Sequence, residues 1–278
     1  MPDPGMSLLR RASAPDPQDG ATQCVTAADA GWDWIGFSAH RLAPGQAIER
    51  PGDSQEVGVI VVEGHVDVQA GATRFADVGS RASVFEGPPA PVVLVAPGEA
   101  VAVRATTPAT VLIACAPAGD PVATRLIDPA TMRVEERGSG RTARRVHHLL
   151  PPDQPASRLI LVEVFTPGGN WSSWPPHKHD TEDQPRESRL EELYYYRFER
   201  PHGFALARVY TADRDLDQAL APMDGDVVLV PRGFHPVGMP AGYDGYYLNV
   251  MAGPTRLWNF TLDPDHAWLM DWSPAAPR

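Results

Sequence analysis

Short apolar runs punctuated by turn dipeptides dominate this chain and confine it to short strands. From Trp32 onward the runs Ile35–Phe37, Glu56–Val62, His65–Val68, Pro91–Val95, Val101–Arg104 and Thr110–Ala114 are each only a few residues long. Pro44–Gly45, Pro51–Gly52, Glu63–Gly64 and Pro97–Gly98 separate them at fairly regular spacing. Proline pre-sets φ and glycine reaches the backbone angles of tight turns, so this punctuation reads as strand, turn, strand. With 30 prolines and 24 glycines in 278 residues, the pattern predicts an all-β chain, its antiparallel strands arranged as a sandwich or barrel.

The pattern occurs twice. A second series starts near Arg145 and includes Leu159–Phe165, Leu193–Arg197, Ala205–Tyr210, Val227–Val230 and Tyr246–Met251. Between the two lies a polar stretch with Asp120–Pro121, Asp128–Pro129 and the Gly-containing segment from Glu135 to Arg141. The division expected is a loose arm over residues 1–25, an N-terminal β-domain over 26–120, a connector over 121–145 and a C-terminal β-domain over 146–278. Identity between the halves is too low to establish a repeat residue by residue.

Composition narrows the classes of function. A net charge of −11 argues against a nucleic-acid partner bound through a broad basic face. No apolar run approaches the roughly 20 residues that span a bilayer, so no membrane partner is expected. Cys24 and Cys115 are the only cysteines, which excludes a disulfide framework and fits a reducing cytoplasm. Arg10 and Arg11 are followed by no apolar stretch, so a secretory signal is not expected.

The chemistry gathers in the second half. His177 and His179 are two residues apart, and alternation along a strand sends both side chains to one face. Glu192 lies in the run Glu191–Glu–Leu–Tyr–Tyr–Tyr196, and His235 follows Pro231–Arg–Gly233–Phe. Three imidazoles and one carboxylate form a mixed nitrogen and oxygen set that suits zinc first, with manganese or divalent iron as alternatives, one ion per chain. The first half holds His40 and His65 but no His–x–His, and is expected to carry no metal and no chemistry.

The order His–x–His, Glu, then Pro–x–Gly ahead of a third His resembles the cupin superfamily. Two spacings depart from it: the gap from His179 to Glu192 is longer than usual, and Gly233 to His235 is one residue shorter. The longer motifs Asn170–Asp180, Leu190–Tyr195, Val230–Pro236 and Asn259–His266 resemble the 5-deoxyglucuronate isomerases of myo-inositol catabolism, themselves similar to 4-deoxy-5-keto-uronate isomerases. The resemblance extends over residues 30–272. It implies a bicupin of two antiparallel barrels or jelly rolls, with a metal site in the C-terminal barrel. It also implies a homo-oligomer and a small uronic acid as substrate, converted between aldose and ketose. A related uronate isomerase and a metal-dependent cupin dioxygenase are the alternative activities.

Alternation assigns further roles. If Glu192 points inward, so do Tyr194 and Tyr196, while Glu191 faces outward; Tyr194, Tyr196 and either Tyr246 or Tyr247 are the acid–base candidates, with Tyr246 taken first. The substrate carboxylate calls for a cation, and Arg232, Arg208 and Lys178 are the candidates, the arginines better suited to bidentate binding.

Overall fold

The computed structural model describes residues 7–271. It holds two β-barrel domains, each made of one large and one small antiparallel sheet, as the turn spacing predicts. In the first, the large sheet runs in the order Arg125–Ile127, Val92–Val95, Gln55–Glu63, Ala109–Pro117, Gly36–Leu42, Ala21–Val25. It faces a four-stranded sheet ordered Ala47–Arg50, Val101–Ala105, Val66–Ala70, Thr73–Val78. In the second, the large sheet runs Leu9–Arg10, Val227–Val230, Glu191–Phe198, Gly245–Ala252, Ile160–Thr166, Arg144–Leu150, Arg133–Arg137. Its partner is ordered Trp171–Ser172, Val237–Gly238, Leu206–Tyr210, Asp217–Leu220.

Five strands of each large sheet and all four of each small sheet recur in the same order, which reveals an internal duplication that residue identity conceals. Cys115 pairs with Val57 on one side and Gly36 on the other; Met251 pairs in the same way with Glu192 and Ile160. Val57 therefore stands in the first barrel where Glu192 stands in the second. A packed valine at that position leaves the first barrel without a carboxylate to answer a cation. Val57, Val59 and Val61 turn into the first barrel's own core, while Ile60 and Val62 join a cluster shared with the second barrel. The two large sheets thus pack back to back, and their alternating faces are buried on both sides.

Two segments differ from expectation. Residues 7–25 are not a loose arm: Leu9–Arg10 is an edge strand on Val227–Val230, and Ala21–Val25 pairs with Gly36–Leu42. Arg11 and the backbone of Ala12 hold the two oxygens of Asp226, and Gln23 donates to the Gly225 carbonyl. Nor is 121–145 a plain connector, since Arg125–Ile127 extends the first large sheet and Arg133–Arg137 the second. Edge strands carry one solvated face and so read as polar linker. Residues 1–6 and 272–278 of the expected arm and C-terminal domain lie outside the described residues. No described helix is long and apolar enough to cross a membrane.

Candidate metal centre and cavity

Four elements bring the second barrel's ligands together. His177 opens the short strand His177–Lys178, which pairs with Thr261–Leu262. His179 follows it, Glu192 lies near the start of Glu191–Phe198, and His235 ends the turn after Val227–Val230. That turn needs glycine: Gly233 has φ +86°, and a Cβ there would meet the Tyr210 carbonyl oxygen at 2.4 Å. Its N–H donates to Asp180 Oδ2 at 2.8 Å, tying the His–x–His strand to the His235 turn.

One ligand atom from each of His177, His179 and His235 lies within 4.8 Å of the others. Glu192 Oε2 is 2.9 Å from His179 Nε2 and 3.1 Å from His235 Nε2. On the far side of each ring, Nδ1 faces a backbone carbonyl: Pro175 at 3.4 Å, Leu190 at 3.2 Å and Gly233 at 2.9 Å respectively. Those carbonyls hold Nδ1 as the donor and turn the Nε2 lone pairs toward a common point, the outer hydrogen bonding expected of metal-ligating histidines. His235 Nε2 is buried and, though close to Glu192 Oε2, makes no well-aligned hydrogen bond, a deficit that a cation would remove. Burial and the neighbouring His235 and His179 push His177 well below its ordinary value, so it is neutral. Burial alone would raise Glu192, but His235 and His179 hold its carboxylate far below the usual range, so it is ionised. Burial disfavours a charge on His179 as well, but the hydrogen bond and charge of Glu192 outweigh it and raise its affinity for a proton, which a divalent cation would displace; the donor set of three imidazoles and a carboxylate fits one.

His177 connects this cluster to a cavity of about 390 Å³, whose walls include Ser173, Trp174, Tyr194, Tyr247, Asn249, Phe260, Arg137 and Arg144. Glu192, Tyr194 and Tyr196 share a face, as alternation requires. Tyr194 lines the cavity and shares a hydrogen bond of 3.1 Å with Ser173 Oγ. Tyr196 does not reach it: its ring stacks on Phe198 at 6.2 Å and is fully buried below Tyr247. Tyr246 is on the opposite face. Its hydroxyl donates to Glu163 at 2.9 Å between the barrels, so Tyr247, not Tyr246, faces the cavity.

Glu191 also differs from expectation. It faces away from the metal cluster, yet not into solvent: its carboxylate accepts the backbone N–H groups of Asp33, Trp34 and Ile35. The three cations expected to bind substrate are all placed elsewhere. Arg232 forks onto Asp215 at 2.9 and 2.8 Å, and Arg208 onto Asp217 at 2.8 and 2.7 Å. Lys178 is tied to Asp180 at 2.6 Å and Glu187 at 2.7 Å. It rivets the hairpin Asp180–Asp183 with Glu187–Arg189, the insertion that lengthens the gap to Glu192. None of the three lines the cavity. Arg137 and Arg144 do, and sequence reading missed both because they fall within the expected connector.

A back-to-back pair of β-barrels with one three-histidine, one-glutamate pocket defines a bicupin with a single candidate metal centre among its described residues. The profile of the KduI/IolB family matches residues 8–269, and the chain belongs to that family. Among its relatives, a protein named 5-deoxy-glucuronate isomerase from Geobacillus kaustophilus (strain HTA426) is 45% identical, over 98% of this chain and 99% of its own. A namesake from Lacticaseibacillus casei is 43% identical over 96% of this chain and 99% of its own. The crystal structure of an IolB-like protein from Salmonella typhimurium LT2 superimposes with a TM-score of 0.92 at 43% identity, covering 95% of this chain and all of that one. An oxalate decarboxylase from Lactobacillus farciminis, at TM-score 0.63 and 13% identity over 96% of this chain and 91% of its own, shares the fold alone.

Proposed function

We propose that this chain is a 5-deoxyglucuronate isomerase, converting 5-deoxy-D-glucuronate to 5-dehydro-2-deoxy-D-gluconate in myo-inositol catabolism. The observation that carries the reading is a cluster of buried His179, Glu192 and His235 with half-buried His177, which opens through His177 onto a cavity with two tyrosines, in a chain 45% identical to a protein of that name. A divalent ion held by those four residues, zinc first with manganese or iron as alternatives, would supply Lewis-acid stabilisation of charge on the carbonyl oxygen.

The reaction moves a hydrogen between neighbouring carbons and shifts the carbonyl by one. A proton leaves the hydroxyl-bearing carbon, its electron pair forms the enediol double bond, and the carbonyl pair moves onto the aldehyde oxygen, which takes a proton; the neighbouring hydroxyl then gives up its proton and becomes the ketone as a proton returns to the former aldehyde carbon. The chain's own groups fit this need. Burial holds the Tyr194 and Tyr247 phenols above their ordinary values, so both remain protonated and donate hydrogen bonds to oxygens that gain charge. Glu192 keeps a negative charge in the cluster. The first barrel, with Val57 in place of the carboxylate, supports the second without taking part. Exposed Leu206, Trp268 and Met270 fit a homo-oligomer.

The test follows 5-deoxyglucuronate by proton NMR with metal-loaded protein while dissolved oxygen is recorded. Loss of the aldehyde signal with growth of ketose, and no oxygen uptake, is expected. Oxygen uptake without ketose would assign the site to a dioxygenase instead.

A further inference from the structure

A uronic acid brings a carboxylate into a cavity that already contains the metal cluster, and a cation must meet it there. Arg208, Arg232 and Lys178 each have an acidic partner and lie outside the cavity. Arg137 lines it, but its Nε and Nη2 both donate to Glu135, at 3.1 Å each, so its charge is answered. Arg144 is different. It begins the strand Arg144–Leu150 and lines the cavity with His177, Tyr194, Tyr247 and Asn249. Its one hydrogen bond among the described residues runs from Nη1 to the Thr142 carbonyl at 2.9 Å, and no described carboxylate forms an ion pair with it. Burial disfavours its charged form, and the nearby Arg137 adds to that. A half-buried guanidinium that lines the cavity with one side-chain hydrogen bond and no ion pair is an anion site awaiting its anion.

A second orphan lies on the same wall. Asn249 Oδ1 is buried without a partner and faces a cavity that receives a polyhydroxylated chain. Asn249 pairs in register with Tyr194 across neighbouring strands, so acceptor and phenol are presented side by side.

We infer that Arg144 binds the substrate's carboxylate, with Asn249 Oδ1 accepting a hydrogen bond from a hydroxyl along the chain, and so makes the site selective for a sugar acid over the neutral sugar. The inference rests on the isomerase reading for its substrate, but carboxylate recognition can be tested without turnover. The planar fork of Arg matches a carboxylate with two parallel bonds, which Lys does not reproduce.

The experiment measures binding of D-glucuronate and D-glucose, which differ at C6, to the metal-loaded full chain by calorimetry. Wild type should favour glucuronate by roughly 10- to 100-fold, the range of a hydrogen bond to a charged group. Arg144→Gln should bring that ratio close to one with metal content unchanged, and Arg144→Lys should retain only part of it. In turnover of 5-deoxyglucuronate, Arg144→Gln should raise KM by a similar factor and leave kcat within a few-fold. Arg232→Gln serves as comparison and should keep the wild-type ratio. A glucuronate preference that survives in Arg144→Gln, or is absent from wild type, overturns the inference. Arg144-dependent preference in a protein that isomerises nothing would instead overturn the isomerase reading and leave the carboxylate site standing. Arg144→Lys keeps a charge and a donor for Thr142, so it carries the same comparison if Arg144→Gln does not fold.

Discussion

Glu56 and Glu191 occupy equivalent positions in the two barrels, and each carboxylate accepts three consecutive backbone N–H groups from the other barrel. Glu56 takes those of Ser157, Arg158 and Leu159, and Glu191 takes those of Asp33, Trp34 and Ile35. The acceptors sit one residue before Val57 and Glu192, and the donors lie just ahead of the equivalent strands Gly36–Leu42 and Ile160–Thr166. The clamp is thus reciprocal, and it fixes the residue before the carboxylate ligand.

Removing either acceptor strands three N–H groups in the contact between barrels. Glu56→Ala and Glu191→Ala should each cost about 3 kcal/mol or more of stability, read from denaturant unfolding. Glu191→Ala should also lower metal affinity, because its neighbour Glu192 loses its anchor, whereas Glu56→Ala should not. Equal metal affinity in the two variants would break the link between clamp and ligand.

Metal analysis of purified protein should give close to one divalent ion per chain. The double variant His177→Ala/His179→Ala should bring this near zero while circular dichroism remains that of the parent, since each barrel keeps its own core. Full metal retention in that variant would remove these histidines from the ligand set.

Tyr246 and Tyr247 are neighbours that face opposite ways, so their Phe variants should separate activity from stability. Tyr194→Phe and Tyr247→Phe should lower kcat by about 100-fold or more if they act as proton donors. Tyr246→Phe should leave kcat near the parent and cost about 1 kcal/mol of stability through its lost bond to Glu163. Isomerisation in deuterium oxide should place solvent deuterium on the carbon that gains hydrogen. Product free of deuterium would favour a direct hydride shift, and the tyrosine variants would then matter little.

Between the barrels, Glu163 is fully buried with Arg81, His147 and Tyr246 around it. Burial would raise its carboxyl, but Arg81 and His147 outweigh this and lower it from 4.5 to about 2. The folded state therefore favours the ionised form. Its contribution is complete above pH 4.5 and is lost as pH falls from there toward 2, on the order of 3 kcal/mol in all. The paired replacement Arg81→Met/Glu163→Gln should flatten that part of the stability–pH curve. An unchanged slope between pH 4.5 and 2 would assign the acid sensitivity to other carboxylates.

The sequence disclosed what depends on local spacing. His177 and His179 at i and i+2, and the Pro231–x–Gly233 turn before His235, are written in consecutive residues, so the ligands were legible. The face of a strand was legible only where its register was anchored: Glu192 anchored Tyr194, but nothing local anchored Gly245–Ala252, and one position of parity separates Tyr246 from Tyr247. The carboxylate-binding candidates rest on residue type, the bidentate fork of Arg232 and Arg208 and the charge of Lys178, and residue type does not say which cation is already paired. Arg144 comes from a strand that begins 33 residues before His177, within a polar edge segment that reads as linker. The duplication left almost no residue identity because back-to-back sheets need only apolar volume at most positions; the two clamp glutamates are where it persists.

The strand Leu9–Arg10 has a consequence for the order in which the molecule assembles. Its partner Val227–Val230 emerges from the ribosome more than 200 residues later. Throughout that interval the first barrel can close on itself, while the leading segment, with Arg11 still lacking Asp226, has no sheet to join. Such distant contacts form late. Residues 9–11 therefore act as a final latch, set only when the barrel that carries the histidines is already in place.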